Sequence, residues 1–149
     1  MVRIQQEDFD PGHELALLSQ IGPNVGGIAS FVGLVRDMAG GRPVTALTLD
    51  HYHEMSVKML ENIEAEARAR WPLLGVTLIH RYGRLSPGER IVFVGTAAAH
   101  RQAALDSCSF LIDWLKTDAP FWKEETGPAG RQWVAPRKED EERRKRWRQ

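Results

Sequence analysis

The run Leu115-Lys116-Thr117-Asp118-Ala119-Pro120-Phe121-Trp122-Lys123 places two lysines on either side of a proline, with Phe121 and Trp122 between them. A lysine serves as nucleophile or proton acceptor only as the neutral amine, and its ordinary pKa of about 10.4 keeps it protonated at neutral pH. A second cation close by, or desolvation against aromatic rings, lowers that value. Two lysines converging beside aromatic walls could therefore make one of them reactive. The competing reading is that Lys116 only offsets the negative end of a helix dipole. His100-Arg101 stands where the apolar run Ile91–Ala99 gives way to a helical pattern. Such a junction presents free amides and a positive dipole end, so an adjacent imidazole and guanidinium make an anion seat; the alternative is a solvated helix start. Arg36 closes a glycine-containing apolar run ahead of the flexible stretch DMAGGRP. Its planar fork could grip a phosphate or carboxylate, or simply lie exposed.

Other reactive side chains read as structural. His51 and His53 flank Tyr52, and His80 sits in a strand pattern, but no carboxylate or cysteine spacing completes a metal site. Cys108 shares an apolar helical face with Ala104 and Leu111, which marks buried filler. As the single cysteine it excludes an intrachain disulfide framework. Neither a GxGxxG nor a GxxxxGK[ST] motif is present, so dinucleotide and P-loop chemistry lack their main residues. Twenty basic residues balance twenty acidic ones, which argues against a protein that coats nucleic acid. The tail carries an acidic block, Glu139 to Glu142, followed by a basic one, Arg143 to Arg148, an order that suits helix-dipole compensation. An RNA-binding arm built on Trp147 is the weaker alternative.

The elements that must position these residues follow from periodicity and punctuation. The 149 residues suit one domain, with a charged tail from about residue 138. Val2–Gln5 reads as a strand, and Asp10-Pro11 starts a helix running to about Gln20. Val25–Arg36 reads as a strand with bulges, Asp37–Pro43 as a turn, and Val44–Tyr52 as a strand pairing with its predecessor in an antiparallel hairpin. Met55, Met59, Leu60, Ile63 and Ala67 predict a helix over Glu54–Arg70, stopped ahead of Pro72. Val76–Arg81 and the central run Ile91–Ala99 are strands separated by the turn Ser86–Glu89. A helix then starts near His100 or Arg101 and ends by Ala119. Phe121–Glu125 and Arg131–Ala135 form a small hairpin, and the tail is a final helix or a frayed end. The fold class is α+β with a mostly antiparallel sheet. Leu15–Val35 carries no formal charge, but its glycines and Pro23 break any membrane span. The polar N-terminus lacks a signal-peptide core, and a cytoplasmic location is the expectation.

Several runs, taken in order, add a further inference. They are Phe31-Val32-Gly33-Leu34-Val35-Arg36, Leu47-Thr48-Leu49-Asp50-His51-Tyr52, Arg70-Trp71-Pro72, Ile79-His80-Arg81-Tyr82-Gly83, Pro87-Gly88-Glu89, Ile91-Val92-Phe93-Val94-Gly95, His100-Arg101 and Leu115 through Lys123. In this order the chain resembles the large, catalytic subunits of molybdopterin synthase over nearly its whole length. The resemblance implies an α/β hammerhead-like fold with an additional small antiparallel β subdomain. It implies conversion of cyclic pyranopterin monophosphate into molybdopterin, with sulfur supplied by the C-terminal Gly-Gly thiocarboxylate of a small ubiquitin-like partner. It further implies a homodimer of large subunits carrying a small subunit at each end, a heterotetramer. Lys116 and Lys123 match the two catalytic lysines, with Lys116 nearer the incoming tail and Lys123 nearer the pterin. Arg36, His100 and Arg101 match the substrate-anion site. Leu34, Val35, Glu124 and Glu125 match pocket positions; the two acids would serve through their backbone. Arg137 matches a basic residue lining the pocket, from its own or the neighbouring subunit. No cofactor or metal is implied, since the sulfur arrives covalently on the partner. The alternative is a non-catalytic scaffold that binds the partner's tail.

Overall fold

A computed structural model describes residues 1–148. The strand β1 (Val2–Gln5) leads to helix α1 (Pro11–Ser19), whose N-cap Asp10 accepts from the amides of Gly12 at 3.0 Å and His13 at 3.3 Å. Strand β2 (Gly27–Leu34) follows, then two short strands, β3 (Met38–Ala39) and β4 (Arg42–Pro43), and β5 (Ala46–Asp50). Helix α2 (His53–Arg70) stops at Trp71, ahead of Pro72, as expected. Strands β6 (Leu73–Arg81), β7 (Gly83–Leu85) and β8 (Arg90–Ala98) precede helix α3 (Arg101–Thr117). The chain ends with β9 (Trp122–Gly127), β10 (Gly130–Val134) and helix α4 (Lys138–Lys145).

The main sheet has the order β1-β6-β8-β2. Its pairs are antiparallel except β1 with β6. Val92 through Ala98 are buried because both faces of β8 are covered. Phe9 and Leu18 pack with Ile79, Phe93 and Ala97 on the α1 side. Leu60, Ile63 and Ala67 of α2, with Ala104, Cys108 and Leu111 of α3, pack with Leu78, Val92 and Val94 on the other. Burial on two sides is why β8 reads as a continuous apolar run rather than an alternating one. Gly95 lets α1 sit close: a Cβ there would lie 2.6 Å from Leu18 Cδ1. Among the described residues no helix is long and apolar enough to cross a membrane.

The second sheet, order β10-β9-β5-β7, corrects one expectation. The segment after DMAGGRP does not pair with β2. β2 lies along β8 from Gly27↔Ala98 to Leu34↔Arg90, and β5 pairs with β7 and β9. The glycine turn closes on itself instead. Gly40 and Gly41 take φ of 57° and 78°, joining β3 to β4, and the Val44 amide donates to the Asp37 carbonyl at 2.8 Å. The turn thus delivers β5 into a different sheet, while β2 finds a longer partner in β8, buried from Val92 to Ala98. The predicted hairpin of β9 and β10 is present, and α4 forms where the tail allowed either a helix or a frayed end.

Candidate functional site

Helix α3 ends at Thr117 with Asp118 as its C-cap, and Pro120 prevents its continuation. The chain then turns into β9, where Lys123 stands opposite Leu49. This turn brings Lys116 and Lys123 into one cleft of about 730 Å³, which Leu34, Val35, Arg36, Glu125 and Arg137 also line. A smaller apolar cavity of about 350 Å³ opens from the same two lysines and Arg36 toward Phe31, His80, Ile112 and Leu115.

Strand geometry divides the two glutamates. Successive side chains of β9 point to opposite faces. Lys123 and Glu125 face the cleft, whereas Glu124 stands opposite Thr48 on the other face and approaches Arg131 at 3.8 Å. The expected pairing of Glu124 with Glu125 in one pocket therefore does not extend to the Glu124 side chain. Arg137 reaches the cleft of its own chain and pairs with Glu139 at 2.5 Å. Arg42, Gln132 and Lys138 also line the cleft, and Arg42 donates to the Gln132 side chain.

His100 and Arg101 lie elsewhere. They are exposed at the N-terminal end of α3 beside Gly27, whereas Lys116 is near its C-terminal end. At about 1.5 Å rise per residue the fifteen residues separating Arg101 from Lys116 span roughly 22 Å. A single chain does not join the two groups. Consecutive motifs share the helix but stand at its opposite ends.

The lysines differ in setting. Lys116 is exposed, while Lys123 is half-buried. Burial, and then the charge of Lys116, pushes the Lys123 amine down to about 8, with Asp140 acting in the opposite direction. Near pH 8 a large fraction of Lys123 is thus a neutral amine able to take up a proton. Acylation of Lys123, followed by peptide mass spectrometry across a pH series, should be half-maximal near pH 8, with ordinary exposed lysines titrating roughly two units higher. Coincident curves would contradict the geometry.

His80 is the residue that sequence spacing set aside as structural. It is buried, and its ring stacks on Phe121 at 3.8 Å and 10°. Nδ1 is 2.8 Å from the Arg81 carbonyl, which can only accept, so Nδ1 carries the proton and Nε2 keeps the lone pair. Burial, with Lys123 and Lys116 adding repulsion, pushes its pKa down to about 3, against the effect of the Arg81 bond. His80 is therefore a structural histidine that also lines the inner cavity. Its position two residues from Leu78 signals a buried strand face, and nothing local signals a cavity.

The linkage has a definite sign. Below the unfolded-state pKa near 6.5 the unfolded chain takes up a proton that folded His80 refuses, so folding stability falls as pH drops. Between pH 6.5 and 5 this loss is about 2 kcal/mol, at ~1.36 kcal/mol per unit. Urea unfolding across that window should show it in the wild-type chain and show it reduced in His80→Gln, whose amide can still donate to the Arg81 carbonyl. Equal slopes would count against the assignment.

His51 and His53 face each other at 3.2 Å between Nε2 and Nδ1. Among the described residues no group of three or more His, Cys, Asp or Glu side chains could hold a metal ion. Cys108 is buried, and burial pushes its thiol up to about 12, which keeps it unreactive.

Paired lysines from α3 and β9, with Arg36 and Arg137 around them, place an amine of lowered basicity in a cation-lined cleft of an α+β protein. The chain belongs to the MoaE protein family, whose model matches residues 4–118. It is 51% identical over 146 residues to the molybdopterin synthase catalytic subunit of Pseudomonas aeruginosa, covering 98% of this chain and 97% of that one. The molybdopterin biosynthesis MoaE protein from Burkholderia ambifaria superposes with a TM-score of 0.84 at 48% identity, over 99% of this chain and 97% of the other. The fold recurs, at 24% identity and a TM-score of 0.72 over 91% of each chain, in a protein–protein complex of subunits 1 and 2 of molybdopterin-converting factor from Helicobacter pylori.

Proposed function

We infer that the chain is the catalytic half of a molybdopterin synthase. It moves sulfur from the C-terminal thiocarboxylate of a small ubiquitin-like partner to cyclic pyranopterin monophosphate, forming the dithiolene. One observation carries this reading: Lys116 and Lys123, from two separate elements, line the same cleft and the same inner cavity. Both reactants are anions, and bringing them together costs Coulomb energy unless cations stand between them. Lys116, Lys123 and Arg36 supply that charge. The outer cleft, running from Leu34 toward Gln132 and Arg137, suits an extended peptide tail. The apolar inner cavity suits a flat heterocycle. Lys116 meets the incoming tail, and Lys123 meets the pterin. The neutral fraction of Lys123 moves protons, while the other cation stabilises developing negative charge.

In this reading His100 and Arg101 hold the substrate's anion in the site of a second copy of the chain, since their own cleft lies at the far end of α3. Two large subunits form the central dimer with one small subunit at each outer end. Residues 1–149 act as one unit, with the charged tail part of the site, and the work is done in the cytoplasm. Backbone groups of Glu124 contribute where its side chain points away.

Reconstitution tests the reading. The purified chain, a thiocarboxylated small partner and cyclic pyranopterin monophosphate should together yield the dithiolene. Tight binding of the partner without conversion would favour the scaffold alternative.

A further inference from the structure

The C-terminal segment is held to the body by charge. Every residue of α4 remains at least partly exposed. A chain this polar has little apolar surface with which to order itself. Its anchor is Asp113, on α3 ahead of Lys116 and only 4% exposed. Asp113 Oδ1 accepts from Arg143 Nε at 3.2 Å, and Oδ2 accepts from Arg146 Nη2 at 3.0 Å and Trp147 Nε1 at 2.7 Å. Arg146 also donates to Ser109 Oγ at 2.6 Å, and Arg144 pairs with Asp118 at 2.6 Å. The Trp147 ring meets Phe110 at 5.6 Å and Trp71 at 5.7 Å, edge to face.

The segment between β10 and this anchor is a wall of the outer cleft, contributed by Ala135, Arg137, Lys138 and Glu139. It is fixed at one end by the β9–β10 ladder and at the other by Asp113. We propose that Asp113 is a positioning residue for the sulfur-transfer site, a buried carboxylate that tethers the C-terminal segment so that Arg137 and its neighbours close the cleft. This rests on the synthase reading of that cleft. Asp113 touches no reactant; it acts through the wall. Removing its charge by an amide leaves one acceptor oxygen for three donors and sets an NH2 against the cationic groups, and the strongly cationic end of the chain then gains more from water than from α3.

The tether has a second consequence. Asp140 of α4 acts on Lys123 through space and holds its pKa up. The other groups around Lys123 are Lys116 of α3, His80 of β6, Arg36, and the cleft-lining Glu125, Arg137, Lys138 and Glu139. Of these, only the last three would move away with Asp140 when the tether is cut. Asp140 opposes the downward shift, but burial is its larger cause, so releasing the segment removes that acid and also admits water to Lys123, and the net effect is a rise toward the ordinary lysine range.

The full-length chain carrying Asp113→Asn tests this, beside a second variant, Arg143→Gln/Arg146→Gln, whose changes lie on exposed arginines and keep the test open if the first fails to fold. Three readouts are followed: steady-state kinetics in the reconstituted system, the pH midpoint of Lys123 acylation, and limited proteolysis between residues 135 and 148. Both variants should raise KM for cyclic pyranopterin monophosphate about tenfold with kcat within about threefold, since positioning is lost while the reacting groups remain. The Lys123 midpoint should rise by roughly half a unit as its burial is relieved, and the tail should become cleavable. The triple variant should be no worse than either parent, because all three changes cut one tether. Folded variants with unchanged KM and an unchanged Lys123 midpoint, even with a lower Tm, would overturn the proposal. If the wild-type chain made no dithiolene, the acylation midpoint and the proteolysis would still decide whether Asp113 holds the wall.

Discussion

Lys123→Ala should lower dithiolene formation by a factor on the order of 10³ or more, the range expected when a proton carrier and a charge stabiliser are lost together. The chain should stay folded. Lys123 is half-buried with its pKa depressed, so the fold disfavours its charged form, and truncation removes a group that burial already penalises. Lys123→Arg separates the two roles. Arginine keeps the positive charge but never becomes neutral. If Lys123 moves protons, Lys123→Arg should be nearly as inactive as Lys123→Ala. Lys116, exposed at the cleft mouth, should tolerate arginine better than alanine. Single-turnover assays with the thiocarboxylated partner, beside circular dichroism of each variant, provide the measurement. Near-normal turnover by Lys123→Ala would remove the site from consideration, and a fully active Lys123→Arg would reduce its role to charge alone.

Mixing two inactive variants should restore activity. Arg101→Ala and Lys123→Ala alter opposite ends of one chain, yet the proposed site draws Arg101 from one subunit and Lys123 from the other. In a two-fold dimer containing one of each variant, one site collects both lesions and its mate collects neither. After subunit exchange half of the dimers are mixed and half of their sites are intact, so activity should return to about a quarter of the wild-type level. If Arg101 served its own chain, this recovery would be absent. Arg101→Ala alone should weaken substrate capture strongly, because an anion held by a charge-assisted bond in a confined site loses more than one held at an open surface. Full activity of that variant would exclude Arg101 from the site, wherever the second subunit lay.

Much of the local structure was legible in the sequence because its causes are local. Asp10-Pro11 starts α1 through bonds to amides two and three residues away, Pro72 limits α2, and Pro120 separates Lys116 from Lys123. The family resemblance likewise drew on short runs in fixed order, and it directed attention to two lysines that share one cleft. What was not legible involves partners distant along the chain. β5 could have joined β2, its neighbour in sequence; that it instead lies between β7 and β9 follows from competition among strands for buried pairing. The separation of Glu124 from Glu125 depends on the register of β9, where a one-residue shift would exchange their faces.

The sequence by itself determined the helices and most strands, the lysine pair, and the family to which the chain belongs, because capping, proline stops and hydrophobic periodicity act over a few residues. Only the tertiary structure decided that His80 borders the inner cavity and that Asp113 gathers Arg143, Arg146 and Trp147. Each of these depends on which distant segments share a buried surface, and that choice is made by packing the whole chain at once.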